Sequence, residues 1–410
     1  MTIRLIVMGA VLTSIMLSNQ CHAQMTPEAA EALQHPIAVE REEAITSVPL
    51  IPHMGKLAIY AELNGVDRQF VFDTGSPTLI SREFAESLDL TVIGSNIGYD
   101  ANGREFRTDI AIVDLLTIGD TTFRSVPVMI ADFSNSDPKG CFFDGGVIGS
   151  ELFPRSVWHI DPERQMLDIA ANVSDLDLDL ARPLNSVVAT RLHDLGYPHA
   201  PVFNYSIGSF TDRGLFDTGN SDTVILFDRI AQDEQVRSAI MPGSIREGRG
   251  SHGVSAAGRG EDTDLLRFEL ERMRLGETTL GLTSGTTRSA PPSLIGLGIL
   301  NTHAVTLDYA EGRLLLHPRS VSEPALSHPG YALMATDDGV RVVQLFNGSA
   351  AQEGGLRLGD HIVAIDDHVI PPGEASCETT RWLIESRPTL SAGYLTVLRG
   401  SERTKIALTE

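Results

Sequence analysis

One segment of this chain is written twice. Val71-Phe72-Asp73-Thr74-Gly75-Ser76 returns 144 residues later as Leu215-Phe216-Asp217-Thr218-Gly219-Asn220, each copy an apolar run that ends in an acid, a threonine and a glycine. A second pair follows, Gly146-Val147-Ile148-Gly149 with Trp158-His159-Ile160-Asp161, and Ser293-Leu294-Ile295-Gly296 with Val305-Thr306-Leu307-Asp308, both offset by 147 residues. Between them Ile118-Gly119-Asp120-Thr121-Thr122-Phe123 is echoed by Leu275-Gly276-Glu277-Thr278-Thr279-Leu280. Self-similarity at a nearly fixed offset is a statement about fold. Two copies of one β-rich lobe each deliver one carboxylate on a strand that ends in a tight turn. Gly75 and Gly219 let that backbone bend where a side chain would clash, and Thr74 and Thr218 can hydrogen-bond across the paired turns.

These residues resemble the aspartic proteases, specifically the retropepsin-like and pepsin-like families, over roughly residues 46–318. The resemblance implies a peptidase whose catalytic pair is Asp73 and Asp217. It also implies that Ile148-Gly149 and Ile295-Gly296 pass behind the two catalytic turns and support them. Both lobes lie on one chain, so the resemblance implies a monomer that hydrolyses a peptide or protein substrate. Two adjacent carboxylates cannot both ionise cheaply, so the pair shares one proton. The ionised partner activates a water and the protonated one donates to the scissile carbonyl. No metal, cofactor or covalent intermediate is required.

The chain departs from the family at Asn220, where Ser, Thr or Ala is more usual, while Ser76 matches. Both side chains are expected to donate to the carboxylates and to keep the site acidic. The flap candidates are Tyr99 and Gly103 in the segment 97–103, and His252 and Gly253 in the segment 250–260. A solvated loop histidine is the plainer reading of His252. A catalytically silent peptide-binding protein that kept the lobes as a groove is the alternative. No Gly-x-Ser-x-Gly elbow and no His-Glu-x-x-His zinc motif occurs in the sequence.

The first residues read as an export signal: Arg4, an apolar stretch 5–17 too short to span a bilayer, and Cys21-His22-Ala23 before Gln24. Loss of residues 1–23 takes the net charge from −22 to −23, since Arg4 is the one charged residue removed. Such acidity argues against nucleic acid and anionic membranes and suits a soluble exported protein without a membrane span. Cys141 and Cys377 remain, in different expected domains, and are expected to be free thiols.

The expected order is an N-terminal segment 24–45, lobe 1 over 46–172, a linker 173–190 and lobe 2 over 191–318. A second linker, 319–329, and a small β/α domain, 330–410, follow. Fold class is all-β for the lobes, with short strands at 57–63, 70–72, 126–130 and 202–207 and a short helix at 81–88. The alternating Ser174-Asp175-Leu176-Asp177-Leu178-Asp179-Leu180 suits an edge strand or a linker. From Gly330 the order Gly330-Tyr331-Ala332-Leu333, Gly348-Ser349-Ala350-Ala351, Gly359-Asp360 and Ile362-Val363-Ala364-Ile365 resembles a bacterial PDZ domain. That resemblance implies capture of a terminal carboxylate by the backbone of Gly330, Tyr331, Ala332 and Leu333, beside a helix at 377–386. A module that only packs on the lobes is the other reading.

Overall fold

In a computed structural model, residues 24–176, 178, 188–193, 199–320, 328–371, 373 and 375–408 are described. The export signal and most of the two linkers lie outside them. Alternation builds the first lobe: along Lys56–Leu63, Ala61 and Leu63 point into the core while Tyr60 and Glu62 are exposed. This strand pairs with Val66–Phe72, which leads to Asp73. The long hairpin of Glu105–Ile118 and Thr121–Ala131 turns at Gly119 and covers the same core. The short helix Arg82–Ser87 starts where Ser81 accepts from the Phe84 N–H, close to its expected bounds.

The second lobe repeats the first, with Val202–Ile207 and Phe210–Phe216 in antiparallel register leading to Asp217. The molecule is mostly β, in β-rich lobes. Between the lobes, Val157–Asp161 and His303–Asp308 pair antiparallel, with His159 opposite Thr306. These strands are the two copies of one repeated motif, so the duplication meets itself at the centre of the molecule. Trp158 is fully buried there and stacks on Phe72 and Phe123, each with ring centroids 6.0 Å away. One apolar core therefore runs through both lobes.

Helix Pro27–Gln34, capped by Thr26, buries Ala29, Ala32 and Leu33 against lobe 1. Of the alternating acid-leucine run, Val173–Asp175 is a single 3-10 turn, and Leu176 and Leu178 are buried with Val157 and Ala170. The rest of the run lies outside the described residues.

Residues from 328 onward form a separate apolar core of Tyr331, Val340, Val342, Ile362, Leu395 and their neighbours. Tyr331–Thr336 pairs with Gly339–Phe346, which pairs in turn with His361–Ile365. Tyr394–Arg399 and Glu402–Ala407 complete the sheet. Helix Cys377–Glu385 packs against Tyr331–Thr336, whose other edge has no strand partner among the described residues.

This module is joined to both lobes. Gly339–Phe346 also pairs with the lobe 2 strand Arg246–Ser251, through Gly248↔Phe346 and Gly250↔Gln344. A Cβ at Gly248 would lie 2.6 Å from the Leu345 carbonyl oxygen, and one at Gly250 would lie 2.1 Å from that of Val343. Glycine is what allows this approach. On the lobe 1 side, Cys141 and Cys377 form a disulfide, with Cα atoms 5.4 Å apart. The expectation of free thiols is thus overturned: the fold brings together residues 236 apart in sequence because the module docks on lobe 1. Lys139 donates to the Ala375 carbonyl beside that bond, and Met54 N–H donates to Glu385 at 3.4 Å. No helix of the described residues is long and apolar enough to cross a membrane.

Candidate active site

Each catalytic-turn candidate sits where a central strand ends. Ile148 continues the sheet parallel to Phe72, and its carbonyl accepts from the Asp73 N–H at 3.0 Å. In lobe 2, Ile295 runs parallel to Phe216 and accepts from the Asp217 N–H at 2.8 Å. The Ser150 N–H donates to the Ser76 carbonyl and the Leu297 N–H to that of Asn220, so Gly149 and Gly296 lead straight past the two turns. A Cβ at Gly149 would stand 2.1 Å from the Pro77 backbone, which leaves room for glycine alone.

The two turns are locked face to face. Thr74 N–H donates to Thr218 Oγ1 and Thr218 N–H donates to Thr74 Oγ1, both at 3.0 Å. Each hydroxyl then donates across the interface, Thr74 to the Phe216 carbonyl at 2.6 Å and Thr218 to the Phe72 carbonyl at 2.7 Å. Both threonines are wholly buried, so four bonds with no competing water fix the spacing of the carboxylates. Asp73 and Asp217 hydrogen-bond each other, and a Cβ placed on Gly219 would fall 2.2 Å from Asp73 Oδ2. The Gly75 N–H donates to Asp73 Oδ1 at 2.9 Å.

Burial raises both carboxyl pKa values, and for Asp73 the Asp217 charge raises it further. The pair therefore holds one proton well above the usual carboxylate range. Two cations moderate this. Lys56 donates to the Gly219 carbonyl, with Ser221 Oγ at 3.5 Å, and its ammonium favours ionisation of both aspartates. Arg288 lies beside Asp217 and acts in the same direction.

Ser76 and Asn220 take other partners than expected. The Ser76 hydroxyl donates to the Pro77 carbonyl at 2.9 Å, and Asn220 Oδ1 accepts from the Asp222 N–H at 3.1 Å. The Asn220 amide nitrogen is buried with no hydrogen-bond partner, 2.9 Å from where a Gly296 Cβ would stand. The expectation that these side chains acidify the carboxylates is corrected: the turns aim them sideways, and Lys56, Arg288 and the Gly75 and Gly219 N–H groups do that work.

The flap segments form two hairpins whose tips touch. Gly94–Tyr99 and Glu105–Ile118 carry the first, with Asp100 at its tip. Arg246–Ser251 and Asp262–Leu270 build the second, with Val254–Ser255 and Gly258–Arg259 paired at its tip. The Asp100 carboxylate accepts from Ser255 Oγ and, at 3.0 Å, from the Ala257 N–H. Asn102 Nδ2 donates to Ser255 Oγ at 2.9 Å, and Arg104 Nη1 to the Arg259 carbonyl at 3.0 Å. Tyr99 is 44% exposed on the first hairpin, and Gly103 N–H closes its turn on the Asp100 carbonyl. His252 lies at the base of the second hairpin beside Asp228, bonded to the Thr287 backbone, and burial lowers its pKa. The Gly253 carbonyl accepts from the Gly260 N–H there.

In the C-terminal module, the Gly330 N–H donates to His328 Nδ1 at 3.0 Å and the Gly330 carbonyl accepts from Phe346 at 2.8 Å. Tyr331, Ala332 and Leu333 belong to the edge strand rather than to a loop, with a bulge between Ala332 and Leu333.

Sequence reasoning missed Lys56, Arg288 and Glu151. Glu151 is 3% exposed, and both its oxygens accept from the Thr78 N–H, at 3.2 and 3.0 Å, behind the Asp73 turn. Burial pushes its pKa up to about 7. The adjacency of Glu151 to the Ile148-Gly149 segment was the one available signal. Nothing local marked the two cations.

Two aspartates thus face each other at the junction of two like lobes, held by reciprocal threonine bonds. Residues 59–152, which include Asp73 and Gly149, match the family model described as aspartyl protease. Among solved structures, the chain is similar to the aspartic proteinase from Irpex lacteus at 15% identity and a TM-score of 0.40, over 68% of this chain and 98% of that one. No curated protein matches it.

Proposed function

We propose that the chain is an aspartic endopeptidase in which Asp73 and Asp217 together activate one water for attack on a peptide carbonyl. The reading rests above all on the reciprocal Thr74 and Thr218 bonds, which hold the two carboxyl groups within hydrogen-bonding reach of each other. With one shared proton, the ionised oxygen takes a proton from the water as it attacks. The protonated oxygen donates to the carbonyl oxygen, which becomes a hydroxyl of the tetrahedral intermediate. On collapse the C–N bond breaks as the protonated carboxyl passes its proton to the departing amine and the ionised one takes the proton of a gem-diol hydroxyl, so the pair again holds one proton. The polar flap tips above the cleft suit an extended peptide main chain, which offers N–H and C=O groups along its length.

Export is part of the proposal. It is supported by the residue pattern of 1–23 and by the disulfide, since such bonds persist in oxidising compartments. A PDZ-like role for the C-terminal module is supported by the open edge of Tyr331–Thr336 beside helix Cys377–Glu385, a geometry that accepts an added strand. A monomer is the expected active form, because both turns lie on one chain.

The test is a diverse peptide library incubated with the purified chain, with and without a statine-type mimic of the tetrahedral intermediate. Cleavage at internal bonds, blocked by the mimic at concentrations far below substrate, is the expected result. Binding of peptides without cleavage at any pH would instead favour a silent peptide-binding protein.

A further inference from the structure

Arg288 ends the strand Thr283–Arg288 in lobe 2, far in sequence from the other lobe's flap. It is 8% exposed, a costly position for a guanidinium unless its donors and charge are answered. The donor is answered by the first flap: Arg288 Nη2 donates to the Ala101 carbonyl at 2.6 Å. Burial lowers its pKa, and the charges of Asp217 in the dyad and Asp100 at the flap tip offset that in part. One side chain of lobe 2 thus bonds the flap of lobe 1 and lies in the field of the dyad. Asp100 is also the group that holds the second flap, through Ser255 and Ala257.

We propose that Arg288 is a positioning residue that couples closure of the two flaps to the charge state of Asp217. This rests on the dyad reading above. With the flap tips joined, the Ala101 bond keeps Arg288 within electrostatic reach of Asp217, and its charge favours the ionised partner of the pair. With the first flap raised, the Ala101 bond is lost and the guanidinium is free to swing toward water, away from the dyad. The cleft then becomes fully competent only after it has closed on a peptide. Other charges face the same groups: Lys56 and Asp73 lie near Asp217, and His252 faces Arg288 from the second flap. His252 is neutral when buried, so it adds no positive charge near neutral pH.

The experiment compares the full purified chain with Arg288→Met, Arg288→Gln and Arg288→Lys, using a fluorogenic peptide that the wild type cleaves and Asp217→Asn as control. Loss of the charge in the Met and Gln variants should move both limbs of the kcat/KM profile to higher pH by about half a unit to one unit. It should also lower kcat/KM roughly 10- to 100-fold. The Lys variant should restore the limbs. Amide hydrogen exchange over residues 99–104 should rise in the Met variant and less in the Gln variant, which keeps a donor for Ala101. The Gln variant serves if the Met variant does not fold. Unshifted limbs in both neutral variants, or unchanged exchange at the flap tip, would overturn the coupling. A wild type and Asp217→Asn protein that cleave equally would sink the dyad reading instead, and the exchange data would then decide the Ala101 tie alone.

Discussion

Glu151 carries more of the first catalytic turn than its position suggests, because both its oxygens serve one N–H, that of Thr78, and Thr78 Oγ1 in turn accepts from Gly149 at 2.9 Å. Burial holds its pKa in the fold at about 7, above the ordinary 4.5 of a glutamic acid, so the folded state prefers the neutral acid. The stabilisation is fully present below pH ~4.5 and is lost as pH rises through about 7. Urea unfolding at pH 5 and pH 8 should show the wild type losing up to about 3 kcal/mol more than Glu151→Gln over that interval. An equal pH response in both proteins contradicts the buried-acid account. The residues that sequence makes legible are those with a repeated local pattern: the two triplets, Ile148-Gly149 and Ile295-Gly296. Lys56, Arg288 and Glu151 act through the place to which the fold carries them, and no neighbour in sequence announces it. Ser76 and Asn220 teach the converse, since residue type alone gave them a role that the direction of their side chains removes.

At the scale of elements, the sheet between the lobes holds a histidine cluster that limits how far the chain can be acidified. His159 Nδ1 and His317 Nε2 both contact Thr306 Oγ1 at 2.8 Å, and their rings meet edge to face at 5.4 Å. Burial lowers the pKa of His159, His303 and His317, the last to about 4 with the other two histidines adding repulsion. Asp168 and Asp161 raise the value of His159 in part and Asp161 that of His317, while Arg164 lowers that of His159. A histidine depressed from 6.5 to about 4 stabilises the fold above the higher value and loses that contribution as pH falls through the lower. Glu151 acts in the opposite sense over part of this range, so the contribution is read as a difference: in thermal scans from pH 7 to pH 3.5 the Tm of His317→Gln should fall less, or rise more, than that of the wild type below pH 6. The same dependence of Tm on pH in both proteins contradicts this. Strand spacing, the short helix after Ser81 and the repeated hairpin turns were readable because alternation and turn residues are local. Their pairing across the lobes followed from the duplication. The contact of the two flap tips at Asp100 was not readable, since its partners lie more than 150 residues away.

For the molecule as a whole, the C-terminal module is the element whose role the structure changes most. Sequence suggests a tethered binding unit, whose removal would spare the cleavage of short peptides. The pairing of Gly339–Phe346 with Arg246–Ser251 makes it part of the sheet that supports the second flap. Truncation after Glu323 should accordingly slow cleavage of every peptide, short ones included, by roughly tenfold or more, a loss of at least about 1.4 kcal/mol in transition-state stabilisation. Replacing Cys141 and Cys377 by Ser should cost about 2–5 kcal/mol in unfolding free energy. Short-peptide turnover that survives truncation intact would return the module to the role of a passive tether. The central claim, however, is that two lobes of one chain make one catalytic pair. It is tested most directly by the turnover of Asp73→Asn and Asp217→Asn across a hundredfold dilution, beside the wild type. The account predicts that each folded single variant loses at least about 1,000-fold in kcat, while wild-type activity per molecule stays constant on dilution. Substantial turnover by either variant, or wild-type activity that falls as a dimer dissociates, would contradict it.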